Sequence, residues 1–203
     1  MKKITIMIFS LVLILALSAC SQGGNSDTSN SKQSNAEANK EKRSDKKSLV
    51  VYYSQSGHTK KLANEIQQSI DSDIFELELV DPYPDNYEQM TKRVGQEQKD
   101  MATPELSKKI DNMGDYDTIF IGSPIWRSSL APPIASFLES YDLSGKTIIP
   151  FFTSDSGTTG NSVSVINELV ANDITVLDEL VIQGDEVSNS QSMVNDWLSE
   201  IGF

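Results

Sequence analysis

Residues 50–66, VVYYSQSGHTKKLANEI, pass from a short apolar run through small polar residues into a helical pattern. The branched and aromatic run that ends at Tyr53 suits a strand buried on both faces. Leu62, Ala63, Ile66 and, a turn later, Ile70 recur at helical spacing. Between the two lie Ser54, Ser56, Gly57 and Thr59. Their hydroxyls can donate to phosphate oxygens, and Gly57 lets a backbone approach closely. The helix start that follows adds unpaired N–H groups and the positive end of its dipole. The stretch is thus suited to receive an anion without a dedicated cation. It lacks the Gly-Lys-Ser/Thr ending of a nucleotide-triphosphate loop, and it lacks G-x-G-x-x-G. The same residues would also serve as a plain Ser/Thr-rich helix cap.

The alternation continues downstream. Strand patterns cover residues 74–80, 117–122, 146–152 and 174–182, and helical patterns cover 60–70, 131–141, 161–171 and 191–201. Five strands alternating with helices imply an α/β fold with a parallel sheet covered on both faces. Pro150 is the one awkward residue in the fourth strand. Residues 83–110 are too long for a simple crossover and read as a helix-containing excursion at the rim. In such sheets ligands bind beyond the carboxyl ends of the strands, where strand order reverses. The connections after strands one, three and four are therefore the informative ones. The loop after strand three, residues 123–129 (SPIWRSS), carries Trp126, free either to stack on a flat ring or to pack beneath its own loop. The loop after strand four, residues 153–160 (TSDSGTTG), offers amides and hydroxyls for the polar edge of such a ring.

The chain begins with Lys2 and Lys3, followed by an apolar run over residues 4–17. That run is shorter than the roughly 18 residues expected of a membrane span. It closes as Leu17-Ser18-Ala19-Cys20, which resembles the lipobox of bacterial lipoproteins. The resemblance implies removal of residues 1–19, lipidation of Cys20 and an extracytoplasmic location at the cell membrane. A diacylglyceryl group would suffice, because two acyl chains anchor stably where one does not. Cys20 is the only cysteine, so no disulfide supports the fold. Residues 20–47 hold no aromatic or branched aliphatic side chain and read as a disordered tether reaching ~30 Å. Residues 48–203 suit one domain. The signal and the tether are each net positive by two charges, so of the chain's net −12 the domain carries about −16. Nucleic acid is a poor partner for such a surface. No His/Cys cluster suggests a metal site. His58, the only histidine, reads as a solvent-facing loop residue.

Taken together, YYSQSGHTKKLA, PYPDNYEQM, ATPEL, YDTIFIGSPIW, APPIASFLES and GKTIIPFFTS resemble the flavodoxin family, in particular a bacterial flavodoxin-like subfamily, in the same order along the chain. The match runs from Leu49 to the C-terminus. It implies a three-layer sandwich with a five-stranded parallel sheet in the order 2-1-3-4-5 and helices on both faces. It also implies FMN as cofactor. Ser54, Gln55, Ser56, Gly57, His58 and Thr59 would bind its phosphate, and Pro124, Ile125 and Trp126 would line one face of its ring. Thr153, Ser154, Asp155, Ser156 and Gly157 would meet the ring edge.

Two departures bear on function. Related subfamily members read closer to T-S-G-G-S-G after strand four, whereas this chain has Asp155 in that loop. A carboxylate near the ring disfavours its anionic reduced form and lowers its potential. Electron-transfer flavodoxins commonly place an aromatic there too, and none occurs between Thr153 and Gly160. One ring face is then open to a small molecule, unless Tyr83 or Tyr87 of the excursion covers it. The expected function is a membrane-anchored FMN protein that carries electrons to or from a redox partner protein or a small-molecule acceptor. The alternatives are an FMN-dependent NAD(P)H:quinone or small-molecule reductase, and a binding module of the same fold without flavin.

Overall fold

Leu49, Val50, Val51 and Tyr52 are almost wholly shielded from water because their strand, β1 (Ser48–Tyr52), has a neighbour on each side. The computed structural model describes residues 47–203, so the signal sequence expected over residues 1–19, the lipidation expected at Cys20 and the tether expected over residues 20–47, save its last residue, lie outside the described residues. β2 (Asp73–Glu76) pairs with one side of β1 and β3 (Thr118–Trp126) with the other, both in parallel. β5 (Thr147–Ser154) follows β3, and a broken last strand, β6 (Thr175–Val176) and β7 (Leu180–Gln183), pairs with β5. A two-residue strand, β4 (Ser129–Leu130), folds back on the end of β3. With the broken strand counted once and the hairpin set aside, the order is the expected 2-1-3-4-5. Strand order reverses between β1 and β3, which places the ligand-binding edge beyond Tyr52 and Pro124.

Period-two alternation splits the strand side chains between two cores. Leu49, Val51, Ile119, Ile121, Ile148 and Phe152 face α2 (Tyr87–Asp100), α3 (Pro132–Ser140) and α4 (Ser162–Leu169). Val50, Tyr52, Phe120, Ile149 and Phe151 face α1 (His58–Ile70) and α5 (Gln191–Glu200). Phe120 and Phe151 are fully buried; truncating either to Ala would cost about 3–5 kcal/mol.

Three elements differ from expectation, each for a local reason. The strand expected over 74–80 ends at Glu76, the last partner of β1. Beyond it the chain pairs with the excursion instead, Val80 N–H to Glu105 O and Ser107 N–H to Glu78 O. The loop expected over 123–129 is an extension of β3 that turns into a hairpin. The strand expected over 174–182 is interrupted at residues 177–179. Pro150 supplies the reason. The carbonyls of Lys146 and Ile148 accept from Thr175 and Leu177, so by alternation position 150 also addresses that side. Proline has no N–H to offer there, and the neighbouring strand leaves the ladder at that point.

Candidate functional site

α1 begins abruptly. Gly57 adopts the left-handed region, with φ at +91°, and no side chain caps the helix. Lys61 is the first residue to bond back, to Gly57 O at 3.0 Å. The N–H groups of His58, Thr59 and Lys60 therefore have no intrahelical acceptor. Ser54 Oγ does not cap them and instead accepts from Gly57 N–H at 3.1 Å. The first turn carries no acidic side chain, so its positive dipole end is left to an external anion. Thr59 turns inward, where its buried hydroxyl lies 2.8 Å from that of Thr153. That bond ties the first turn of α1 to the end of β5.

The opposite wall is assembled from distant segments. Trp126 and Ser129 pair across a two-residue loop, Arg127-Ser128, in which both residues have positive φ (50° and 61°). Tight hairpins demand that backbone and usually recruit Asn or Gly for it; residues with a β-carbon lose about 1–2 kcal/mol each. The turn is clamped from two directions. Gln98 of α2 donates to Trp126 O at 3.0 Å, and Asn161 N–H donates to Ser128 O at 3.0 Å. Gly160 lies so close to Ser128 that a β-carbon there would collide with its backbone.

Beneath the hairpin, Trp126 packs edge-to-face on Tyr53 and Tyr83, with centroids 5.7 and 5.2 Å away. Glu97 accepts from the Tyr83 hydroxyl at 2.5 Å and from Arg93 Nε at 2.8 Å. Tyr53 donates to Gln55 Oε1 at 2.6 Å. Burial pushes the Tyr53 phenol up to about 12 and the Tyr83 phenol higher still, so both remain neutral. Trp126 is half-buried: one side is anchored by these rings, and the rest is presented to the cleft.

Between the walls lies a cleft of about 300 Å³, within the range of small-ligand pockets. It gathers Gln55, Ser56 and His58 from the first connection, Pro124, Ile125 and Trp126 from the second, and Thr153, Ser154 and Asp155 from the third. The other expected residues are not part of this lining. Ser54 and Gly57 shape the turn, and Thr59 braces it from below. The Ser156 hydroxyl sits 3.1 Å from that of Ser154, and Gly157, at φ +67°, rests near the side chain of Gln183. His58 is exposed as expected, but it is the first residue of α1 and borders the cleft, its ring beside Gly184. Sequence reasoning named Tyr87 only as an alternative cover for the ring, and it missed Asp85, Met90, Thr91 and Val94 of the excursion, Arg127 of the hairpin, and Gly184. Asn86, whose side chain accepts from Gln89 N–H, marks a helix start and was a readable clue to part of this wall. Tyr83 lies under Trp126, and Tyr87 is 77% exposed at the cleft mouth.

The arrangement offers an apolar bed for a flat ring, orphan N–H groups for an anion at one end, and hydroxyls with amides along another edge. No curated protein matches the chain. Among solved structures, a candidate flavoprotein of Bacteroides eggerthii is 28% identical with a TM-score of 0.69, over 77% of this chain and 98% of its own. A flavoprotein of Lactobacillus acidophilus in complex with FMN is 31% identical with a TM-score of 0.56, over 72% of this chain and 99% of its own. The apo form of the flavoprotein from that organism is 33% identical with a TM-score of 0.53, over 71% and 96%. The flavodoxin family model matches residues 47–201, and with three connections converging on one cleft at the switch point of a 2-1-3-4-5 sheet, the chain belongs to the flavodoxin family.

Proposed function

We propose that this domain holds FMN in the cleft and carries electrons at the outer face of a bacterial membrane, anchored through Cys20. The observation that carries the reading is the convergence of the uncapped α1 terminus, the half-buried Trp126 and the Thr153–Asp155 edge on one cavity of ligand size. Bound FMN would supply one- and two-electron redox chemistry. The N–H groups of His58, Thr59 and Lys60, with the Ser56 hydroxyl, hold the phosphate. Trp126, Pro124 and Ile125 cover one ring face and exclude water from it. Asp155 opposes negative charge on the ring. The anchor rests on Leu17-Ser18-Ala19-Cys20.

Purified domain mixed with FMN should stay yellow through ultrafiltration. At a ligand concentration 100-fold above Kd it should gain about 2.7 kcal/mol, or roughly 5–10 °C in melting temperature. A colourless protein with an unchanged melting temperature overturns the reading in favour of a module without flavin. In the full chain, Cys20→Ser should move the protein from membranes to the soluble fraction; unchanged membrane retention overturns the lipid anchor.

A second reading, a flavin-dependent reductase of quinones or other small molecules, is favoured by the cleft mouth. No aromatic caps it from residues 153–160, Tyr83 is committed beneath Trp126, and Tyr87 stands exposed. Steady-state oxidation of NAD(P)H with a quinone acceptor separates the two, since a carrier alone turns over almost none.

A further inference from the structure

Arg127 is the only lysine or arginine among the residues that line the cleft. It makes no hydrogen bond and no ion pair among the described residues, although it belongs to a domain rich in carboxylates. Its position is nonetheless built. The side chain lies across α2 at Gly95, where an added β-carbon would fall 3.1 Å from Nε and 3.2 Å from Cζ. Gly95 is the only glycine in α2, and mid-helix glycine is disfavoured relative to alanine. The backbone beneath Arg127 is itself held in the left-handed region, by Gln98 on one side and Asn161 on the other. A disfavoured glycine and two disfavoured backbone conformations converge on the placement of one unpaired guanidinium, in the cavity that also holds Asp155. Backbone strain that survives at a cleft points to a role there.

We propose that Arg127, seated on Gly95, is the counter-charge of the cleft: its guanidinium favours the negatively charged two-electron-reduced flavin over the oxidised flavin and opposes Asp155. The inference rests on the FMN reading above. Uptake of two electrons and one proton from an external reductant, dithionite in the test, leaves one added negative charge on the ring. A nearby fixed cation lowers the free energy of that form, and a nearby carboxylate raises it. Gly95 acts only by positioning, since it leaves room for the guanidinium to lie flat against the helix.

The test is a potentiometric titration of FMN-loaded domain, with oxidised FMN affinity measured in parallel, at low and at physiological ionic strength. Arg127→Gln should reduce the preference for reduced over oxidised flavin about tenfold, a fall of about 30 mV for a two-electron couple. The shift should shrink as salt rises. Arg127→Lys should retain part of the preference, and Asp155→Asn should move it the opposite way. Gly95→Ala keeps every charge but displaces the guanidinium, so it should reproduce about a threefold part of the loss without the gain in melting temperature that alanine normally brings to a helix. A change below threefold for Arg127→Gln at low salt overturns the role of Arg127. An unchanged preference in Gly95→Ala overturns the seat. If the unaltered domain fails to bind FMN, the cofactor reading falls and this inference with it; binding by the unaltered domain with no effect of Arg127→Gln sinks this inference alone.

Discussion

The two ends of the cleft are made differently. The proposed anion end is one continuous stretch, residues 54–60, which offers backbone N–H groups left without an intrahelical acceptor after Gly57. The ring end joins β3, the hairpin, the excursion and the segment after β5, and its function lies in side chains that meet only after folding. A contiguous site built from backbone tolerates side-chain change well, whereas an assembled site transmits a small displacement to every member.

The sharpest way to break this comparison is one substitution made at both ends. Gly160→Ala puts a β-carbon into the backbone of Ser128, and φ there is +57°. It should cost about 3 kcal/mol, strain and displacement together, and should loosen FMN by disturbing the hairpin. Gly57→Ala meets no atom within 4 Å and should lose only the conformational term, about 1–2 kcal/mol. Equal losses by chemical denaturation would erase the distinction.

The seam between the ends comes next. Thr59→Val or Thr153→Val alone leaves one buried hydroxyl unpaired, at about 1–3 kcal/mol. The double variant should recover most of that loss, because the two partners vanish together. Strict additivity in the double-mutant cycle would show the 2.8 Å contact to be idle.

At the anion end itself, Ser56→Ala should leave stability within about 0.5 kcal/mol. It should weaken FMN by roughly fivefold, the worth of one hydrogen bond, and leave riboflavin, which lacks the phosphate, unaffected. An equal loss for riboflavin would move Ser56 away from the phosphate.

The smallest effect belongs to the far pole of the sheet and serves as a control. Asp73 accepts from Tyr116 at 2.7 Å and pairs with Lys47 at 3.1 Å, and these two contacts hold its carboxyl below the usual range. Its folded-state pKa is depressed, so its contribution is present above the unfolded value near 4 and is lost as pH falls through the folded value. The side chain is 53% exposed, which limits the effect to about 0.5 kcal/mol. Asp73→Asn should flatten that part of the acid limb and leave FMN affinity unchanged.

The same contrast explains what could be read in advance. β1, α1, the first part of β3, α3 and β5 follow local periodicity closely enough to be placed from the sequence. Ser54 to Thr59 could be read as a candidate anion site because Gly57 and the helix start are adjacent in the chain. Arg127 and Gly95 carried no such signal. An arginine in a polar loop and a glycine in a helix acquire meaning only once the hairpin lies across α2. The hairpin was hidden because Arg-Ser is a poor turn dipeptide by local preference, and only Gln98, Gly160 and Asn161 hold it in place. The division of the last strand was hinted at by Pro150 alone, through a proton it does not have.

That proline reaches beyond folding. It leaves the far border of the sheet as segments of two and four residues, and the other border, β2, is also only four long. Short, broken borders are poor templates for a strand from another molecule. Without a continuous rail on which to stack, neighbouring copies are denied the simplest route to self-association, even at high local density.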